Sequence, residues 1–216
     1  MQALTCMTNQ SPTKGDCRRR LLEAARRVFA SEGVRGATTR AIAREAGVNE
    51  VTLFRHFENK LKLLTAVLNQ RAEEQMTALH CQNLENLSLA KALRTCAEVY
   101  DKVLTEDEGL IRTVIGETHR RPECARTFVH EAVAPWRRRL RELLQKRQET
   151  GEVRADLAIA PAVDLFTGAL LAGMLKRTSP WRPCDYTRDD YLQTTIEIFL
   201  RGVRAASEDR SRKNTP

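Results

Sequence analysis

Residues 38–64 read TTRAIAREAGVNEVTLFRHFENKLKLL, and this stretch decides the fold. Ile42, Ala43 and Ala46 share one helical face, and Gly47 follows them directly. Glycine enters the left-handed backbone conformation at little steric cost, so it is suited to ending that helix. Asn49 then stands where a side-chain oxygen can cap a second helix. On that helix Leu53 and Phe57 lie four residues apart on one face, while Glu50, Thr52, Arg55 and His56 point elsewhere. A helix, a glycine turn and a second helix with a polar outer face are the parts of a helix-turn-helix.

The flanks extend the pattern. A first helix is expected from about Asp16 to Ser31, with Leu22, Ala25 and Phe29 inside, Arg18, Arg19, Arg26 and Arg27 outside, and Gly33 as its stop. Arg18 and Arg19 are the arginines best placed to meet phosphates. Thr39 is expected to cap the second helix, and Arg40 beside it can reach a phosphate or a guanine edge. The third helix presents its first half to the major groove. There Glu50 either accepts a bond from cytosine N4 or complements the helix dipole; the residues alone leave both open. Thr52 suits a thymine methyl or a phosphate, and Arg55 and His56 suit the DNA backbone. Asn59 caps a fourth helix whose first turn holds Lys60, a ready phosphate site. Leu61, Leu64, Val67, Leu68, Ala72 and Met76 carry this helix onward into a larger domain, with no Gly/Pro-rich linker, so it can act as a rigid lever.

From Ala37 to Leu64 the chain resembles the DNA-binding signature of the tetracycline-repressor (TetR-type) family of bacterial transcription regulators. Leu21 to Ala25, Val28-Phe29 and Ser31-Glu32-Gly33 resemble that family's first helix. Asn49 stands where serine is frequent and should still cap. Phe54 stands where tyrosine is frequent, so a phenolic contact to phosphate is unavailable, although the ring can pack against sugar. The resemblance implies a small-molecule pocket in the larger domain, with Cys96, Tyr100, Ile111, Ile115, Phe128, Trp136, Phe166 and Leu170 as candidate lining residues. Each of these also fits plain core packing.

Composition agrees with a partner of opposite charge. The 216 residues carry a formal net charge of +8, and residues 1–60 hold eleven Lys/Arg against six Asp/Glu. The excess therefore sits in the motif-bearing part of the chain, as phosphate contacts require. Hydrophobic content of 42% and charged content of 30% describe a globular chain. The six cysteines lack C-x-x-C or zinc spacing, and no apolar leader precedes them, so reduced thiols in a cytoplasm are expected. The apolar run from Leu157 to Leu175 contains Pro161 and Asp164 and is expected as a buried helix, not a membrane span.

Downstream the period stays helical. Leu89 to Val103 mark one amphipathic helix, and Leu110 to Ile115 a shorter one. Another is expected from Pro122 to Thr150, kinked at Pro135 and stopped at Gly151. The last two, about 161–177 and 186–204, are apolar on more than one face. Leu165, Ala169, Ala172 and Gly173 on the first, with Tyr191, Thr195 and Ile198 on the second, are expected to form half of a four-helix homodimer interface. A purely intramolecular core is the alternative.

No nucleophile–base pair, paired carboxylates, metal-ligand set or phosphate loop has convincing spacing, so no enzyme activity, metal or cofactor is expected. Glu117, His119, Glu123, Cys124 and His130 fix no coordination geometry. A redox switch at Cys81, Cys96 or Cys124 would need a cationic, exposed setting. The expectation is an all-α chain. Residues 16–62 form a helix-turn-helix domain, and a shared helix joins them to a ligand-binding and dimerisation domain over 63–206. Flexible tails are expected at 1–15 and 207–216. Its partners would be a double-stranded DNA operator, a second copy and an unknown small-molecule effector, with no membrane. A helical ligand-binding or scaffold protein with a non-functional DNA module is the alternative.

Overall fold

The computed structural model describes residues 14–80, 83–117, 126, 133–180 and 183–205. Among them the architecture is all-helical, and the one strand-like feature is an isolated antiparallel bridge between Val153 and Arg204. The helices are α1 (Lys14–Gly36), α2 (Thr39–Glu45), α3 (Glu50–His56), α4 (Lys60–His80), α5 (Leu89–Glu106), α6 (Glu108–Glu117), α7 (Ala134–Glu149), α8 (Ile159–Arg177) and α9 (Arg188–Val203). Phe128, Cys6, Cys81, Cys124, His119, Glu123 and His130 lie outside the described residues, as do most of both expected tails.

Two hydrophobic cores organise these helices. The first gathers Leu21, Leu22, Ala25 and Phe29 of α1 with Ile42, Ala43, Leu53, Phe57, Leu63 and Leu64, all buried. It also takes Leu110 and Val114 from α6, which lies far along the chain. The second core joins α5, α7, α8 and α9 around Leu93, Tyr100, Trp136, Leu144, Phe166, Leu170 and Ile196. α5 buries Leu89, Ala92, Leu93, Cys96, Ala97, Tyr100 and Leu104, the stripe that a period of 3.6 demands.

Local signals explain most helix ends. In α1 the backbone turns left-handed at Gly33, as expected of a stop, yet one further turn follows to Gly36. α9 starts with a capping box: Thr187 Oγ1 accepts from the Asp190 amide, and the Asp190 carboxylate accepts from the Thr187 amide at 2.9 Å. Pro135 stands in the first turn of α7, a position that proline tolerates. The expected stretch from 122 to 132 lies, apart from 126, outside the described residues. α8 is long and apolar enough to cross a membrane by length and composition alone. Val163, Phe166, Leu170 and Met174 on it instead pack into the second core.

Two buried carboxylates tie the parts together. Asp107, just past α5, accepts from Arg26 Nε of α1 at 2.6 Å and from Arg71 Nε of α4 at 2.7 Å. Arg26 is thus a clamp between the two cores and not part of a solvated outer face. Asp101, fully buried, accepts from Arg177 at the end of α8 and from Arg188 Nε at the start of α9, the latter at 2.7 Å. Each pair offsets the desolvation of the carboxylate only while its arginines stay in place.

Candidate nucleic-acid interface

The turn between α2 and α3 is built from several coincident bonds. Gly47 has φ +64°, and its amide donates to Arg44 O at 3.1 Å, while the Val48 amide donates to Ala43 O at 3.0 Å. Asn49 Oδ1 accepts from the Val51 amide at 3.0 Å and so caps α3 as expected. Arg20 of α1 reaches across 26 residues and fastens the turn: its Nε donates to Ala46 O at 3.1 Å, and its Nη2 to Gly47 O at 2.9 Å. A basic side chain on a helix face reads as solvated surface in sequence, and nothing in the pattern singled out Arg20.

The cap of α2 requires a correction. Thr38 occupies that position, its Oγ1 accepting from the Ala41 amide at 3.0 Å. Thr39, the expected cap, donates its hydroxyl to Glu50 Oε1 at 2.5 Å. Adjacent threonines both have the chemistry of a cap, and the backbone geometry gives the role to the first. The same bond changes the reading of Glu50, whose carboxylate is held by the start of α2 in addition to lying at the first turn of α3. Lys60 is likewise engaged: its Nζ donates to Ala37 O at 2.9 Å, bracing α4 against the chain before α2. Asn59 caps α4 through the Lys62 amide at 2.9 Å.

The outer surface of this unit is basic. Arg40, Arg44 and Arg55 are exposed and form no ion pair with a carboxylate among the described residues. Thr52 and His56 are half-buried beside them, and Leu53 and Phe57 face the core. Arg18 lies over the Phe57 ring, 5.5 Å from its centroid, with its charge at the surface. Arg19, the other expected phosphate contact, is spent on Asp16 at 2.6 Å and Glu23 at 3.0 Å, and these bonds raise its pKa. Two apolar side chains interrupt the polar outer face of α3: Phe54 is 49% exposed and Val51 74%. Val51 escaped the sequence reading because a valine between polar residues carries no motif.

The candidate effector residues divide. Cys96, Tyr100, Trp136, Phe166 and Leu170 meet, with Leu140 and Thr167, around a void of about 10 Å³, the scale of one water molecule. The Tyr100 and Trp136 rings stand 5.0 Å apart. Burial pushes the Cys96 thiol and the Tyr100 phenol each up to about 12. Cys96 is therefore held as a neutral thiol, unlike a redox-sensing thiolate. Ile111 is buried in the second core away from this void, and Ile115 is exposed on α6. Among the described residues no His/Cys/Asp/Glu group could hold a metal ion.

The candidate dimer residues divide as well. Leu165 and Ile198 are 72% and 68% exposed, and with Ala169, Tyr191 and Thr195 they line an apolar groove of about 590 Å³ between α8 and α9. Ala172 is exposed on α8. Gly173 is buried within the subunit, where the Tyr191 ring occupies the space a side chain would need. Tyr191 Oη donates to Ala169 O at 2.7 Å, which seats that ring. The small residue at 173 thus admits a helix of its own chain.

Residues 21–67 match the family model described as bacterial regulatory proteins, tetR family, and residues 85–189 match that described as tetracyclin repressor-like, C-terminal domain. The chain belongs to the tetracycline-repressor family. This TetR-family chain is a DNA-binding, helix-turn-helix transcriptional regulator. It is similar to the HTH-type regulator YvkB of Bacillus subtilis, 39% identical over 61 residues, which is 28% of this chain and 32% of that one. It is also similar to YdeS of the same organism, 24% identical over 192 residues, covering 88% of this chain and 91% of that one. Among solved structures, a TetR-family regulator from Mesorhizobium loti superposes with a TM-score of 0.74 at 20% identity, covering 90% of this chain and 100% of that one. FadR from Bacillus subtilis in complex with stearoyl-CoA gives 0.74 at 18%, covering 86% and 99%. At these identities the superpositions show the shared fold.

Proposed function

We propose that this regulator is a cytoplasmic homodimeric repressor that binds a palindromic operator and leaves it when a small-molecule effector enters the second core. The observation that carries the reading is the seam between α6 and α1. Gly109 lies against Ala30, Thr113 Oγ1 donates to Phe29 O at 3.3 Å, and Asp107 grips both Arg26 and Arg71. On its other side α6 is held by Arg112, whose Nη2 donates to Leu175 O at 2.9 Å and to Thr178 Oγ1 at 2.8 Å at the end of α8. A shift of α6 or α8 is therefore transmitted to the helix that fastens the DNA-reading turn.

Residues 16–62 read DNA, and 63–206 sense and dimerise, with α4 shared and α6 lending Leu110 and Val114 to the first core. Arg40, Thr52, Phe54, Arg55 and His56 meet DNA, while Thr39, Asn49, Glu50 and Lys60 hold the reading surface in shape. Leu165, Ala169, Ala172, Tyr191, Thr195 and Ile198 face the second copy. The effector enters between Cys96, Tyr100, Trp136, Phe166 and Leu170. These side chains are closely packed, so the ligand must bind an opened state better than the closed one to shift the equilibrium. FadR holds stearoyl-CoA, and another structural neighbour is a flavonoid-responsive regulator, so acyl-CoA esters and flavonoids are the first classes to screen.

Selection from random duplex DNA tests the reading. A palindrome should be enriched, and a ligand that raises the melting temperature should release it. Enrichment of no sequence at moderate salt would sink the proposal.

A further inference from the structure

Val51 and Phe54 lie three residues apart on α3 and so are neighbours on one face. Both are exposed, at 74% and 49%, on the outer side of a helix whose inner side is closed by Leu53. Arg55 follows on the same helix, four residues after Val51, and Arg40 and Arg44 of α2 are exposed as well. An apolar pair has no attraction of its own for phosphate, and it offers no hydrogen bond to a base edge. The edges displayed in the major groove carry one apolar group, the C5-methyl of thymine.

Resting on the DNA-binding reading above, we infer that Val51, with Phe54 beside it, reads thymine methyl groups in each half-site. The neighbouring bonds support this assignment. Glu50, the one acidic residue of α3, is held by the Thr39 hydroxyl at 2.5 Å, which fixes the first turn from which Val51 projects. Asn49 caps the same turn through the Val51 amide itself, so the backbone that carries the valine is pinned where the helix meets the groove. The arginines supply attraction without sequence preference, and the apolar pair supplies preference without charge.

The test uses the full-length protein and the duplex enriched from a random library. Each thymine of a half-site is replaced in turn by deoxyuridine, which removes only the methyl. At one or two positions wild-type binding should weaken about fourfold per methyl in each half-site. In Val51→Ala this dT-over-dU preference should disappear, while the dependence of affinity on salt stays as in wild type. Val51 is exposed, so an unchanged thermal melt will show that the variant is folded. Equal wild-type affinity for dT and dU duplexes overturns the inference. So does a preference that survives in the Val51→Ala, Phe54→Ala double variant. A library with no enriched sequence would instead overturn the DNA-binding reading, and this inference with it.

Discussion

Gly109 of α6 lies flush against Ala30 of α1: a Cβ at position 109 would stand 2.9 Å from both the Ala30 Cβ and the Ala30 carbonyl oxygen. Part of that obstruction is backbone, which no change of rotamer relieves. Gly109→Ala should push α6 away from α1, costing about 1–3 kcal/mol of stability by overpacking. Operator affinity should fall with it. Urea unfolding and fluorescence anisotropy on the enriched duplex measure the two effects, and unchanged values in both would remove the seam from the mechanism.

Arg20 acts on DNA binding without facing DNA. Its guanidinium bonds to the Ala46 and Gly47 carbonyls hold the turn that aims α3. Bonds from a charged donor contribute about 1.5–3 kcal/mol when part-buried, so Arg20→Ala should lower stability by about that amount. It should weaken operator binding while leaving base preference as it was. A changed preference in library selection would place Arg20 at the DNA instead.

Alkaline pH should unfold this protein early, and the sign follows from the buried thiol and phenol. The Cys96 pKa rises from 9.0 to about 12 on folding, and that of Tyr100 from 10.0 to about 12. The unfolded chain loses the cysteine proton above about pH 9 and the tyrosine proton above about pH 10, while the folded one keeps both up to about 12. Stability is therefore full below pH 9 and falls as pH rises, by up to about 1.4 kcal/mol per pH unit for each group. Cys96→Ala should flatten the slope of unfolding free energy between pH 9 and 10. An equal slope in the variant would count against a buried neutral thiol.

The groove between α8 and α9 should be sensitive to charge. In a two-fold interface Leu165→Arg would bring like charges together and leave them desolvated. Sedimentation velocity should show a monomer for this variant at concentrations where wild type is a dimer. A dimer that persists in Leu165→Arg and also in Ile198→Arg would move the interface elsewhere.

What was legible in the sequence was what is local. The glycine turn, the Asn49 and Asn59 caps and the Leu53–Phe57 spacing each lie within a few residues of their partners, and the pattern of each is complete in one stretch. The long-range polar bonds were not legible. Arg20 meets its carbonyls 26 positions away, and Arg26 meets Asp107 at a separation of 81. Arginine on an amphipathic helix looks the same whether it ends in water or on a buried carboxylate. The small-residue face of α8 was legible as a place of close approach, but Gly173 receives Tyr191 of its own chain, because periodicity does not say which helix arrives. The hydrophobic lining of the second core was largely visible. Ile111 joins the second core while its neighbours Leu110 and Val114 join the first, and a helix stripe carries no record of which core each side meets.

The recognition helix has only seven residues, too few to persist in isolation. Its place is set by Leu53 and Phe57 beneath it, by Asn49 at its start and by the grip of Arg20 on the preceding turn. Positions 51, 54 and 55 contribute little to any of these restraints. Mutation can therefore exchange the outward side chains with small penalty to folding, and a duplicated gene could drift to a new operator while its sensing half stays as it was. The same separation makes this surface a starting point for retargeting by directed evolution, in which libraries confined to those three positions should remain mostly folded.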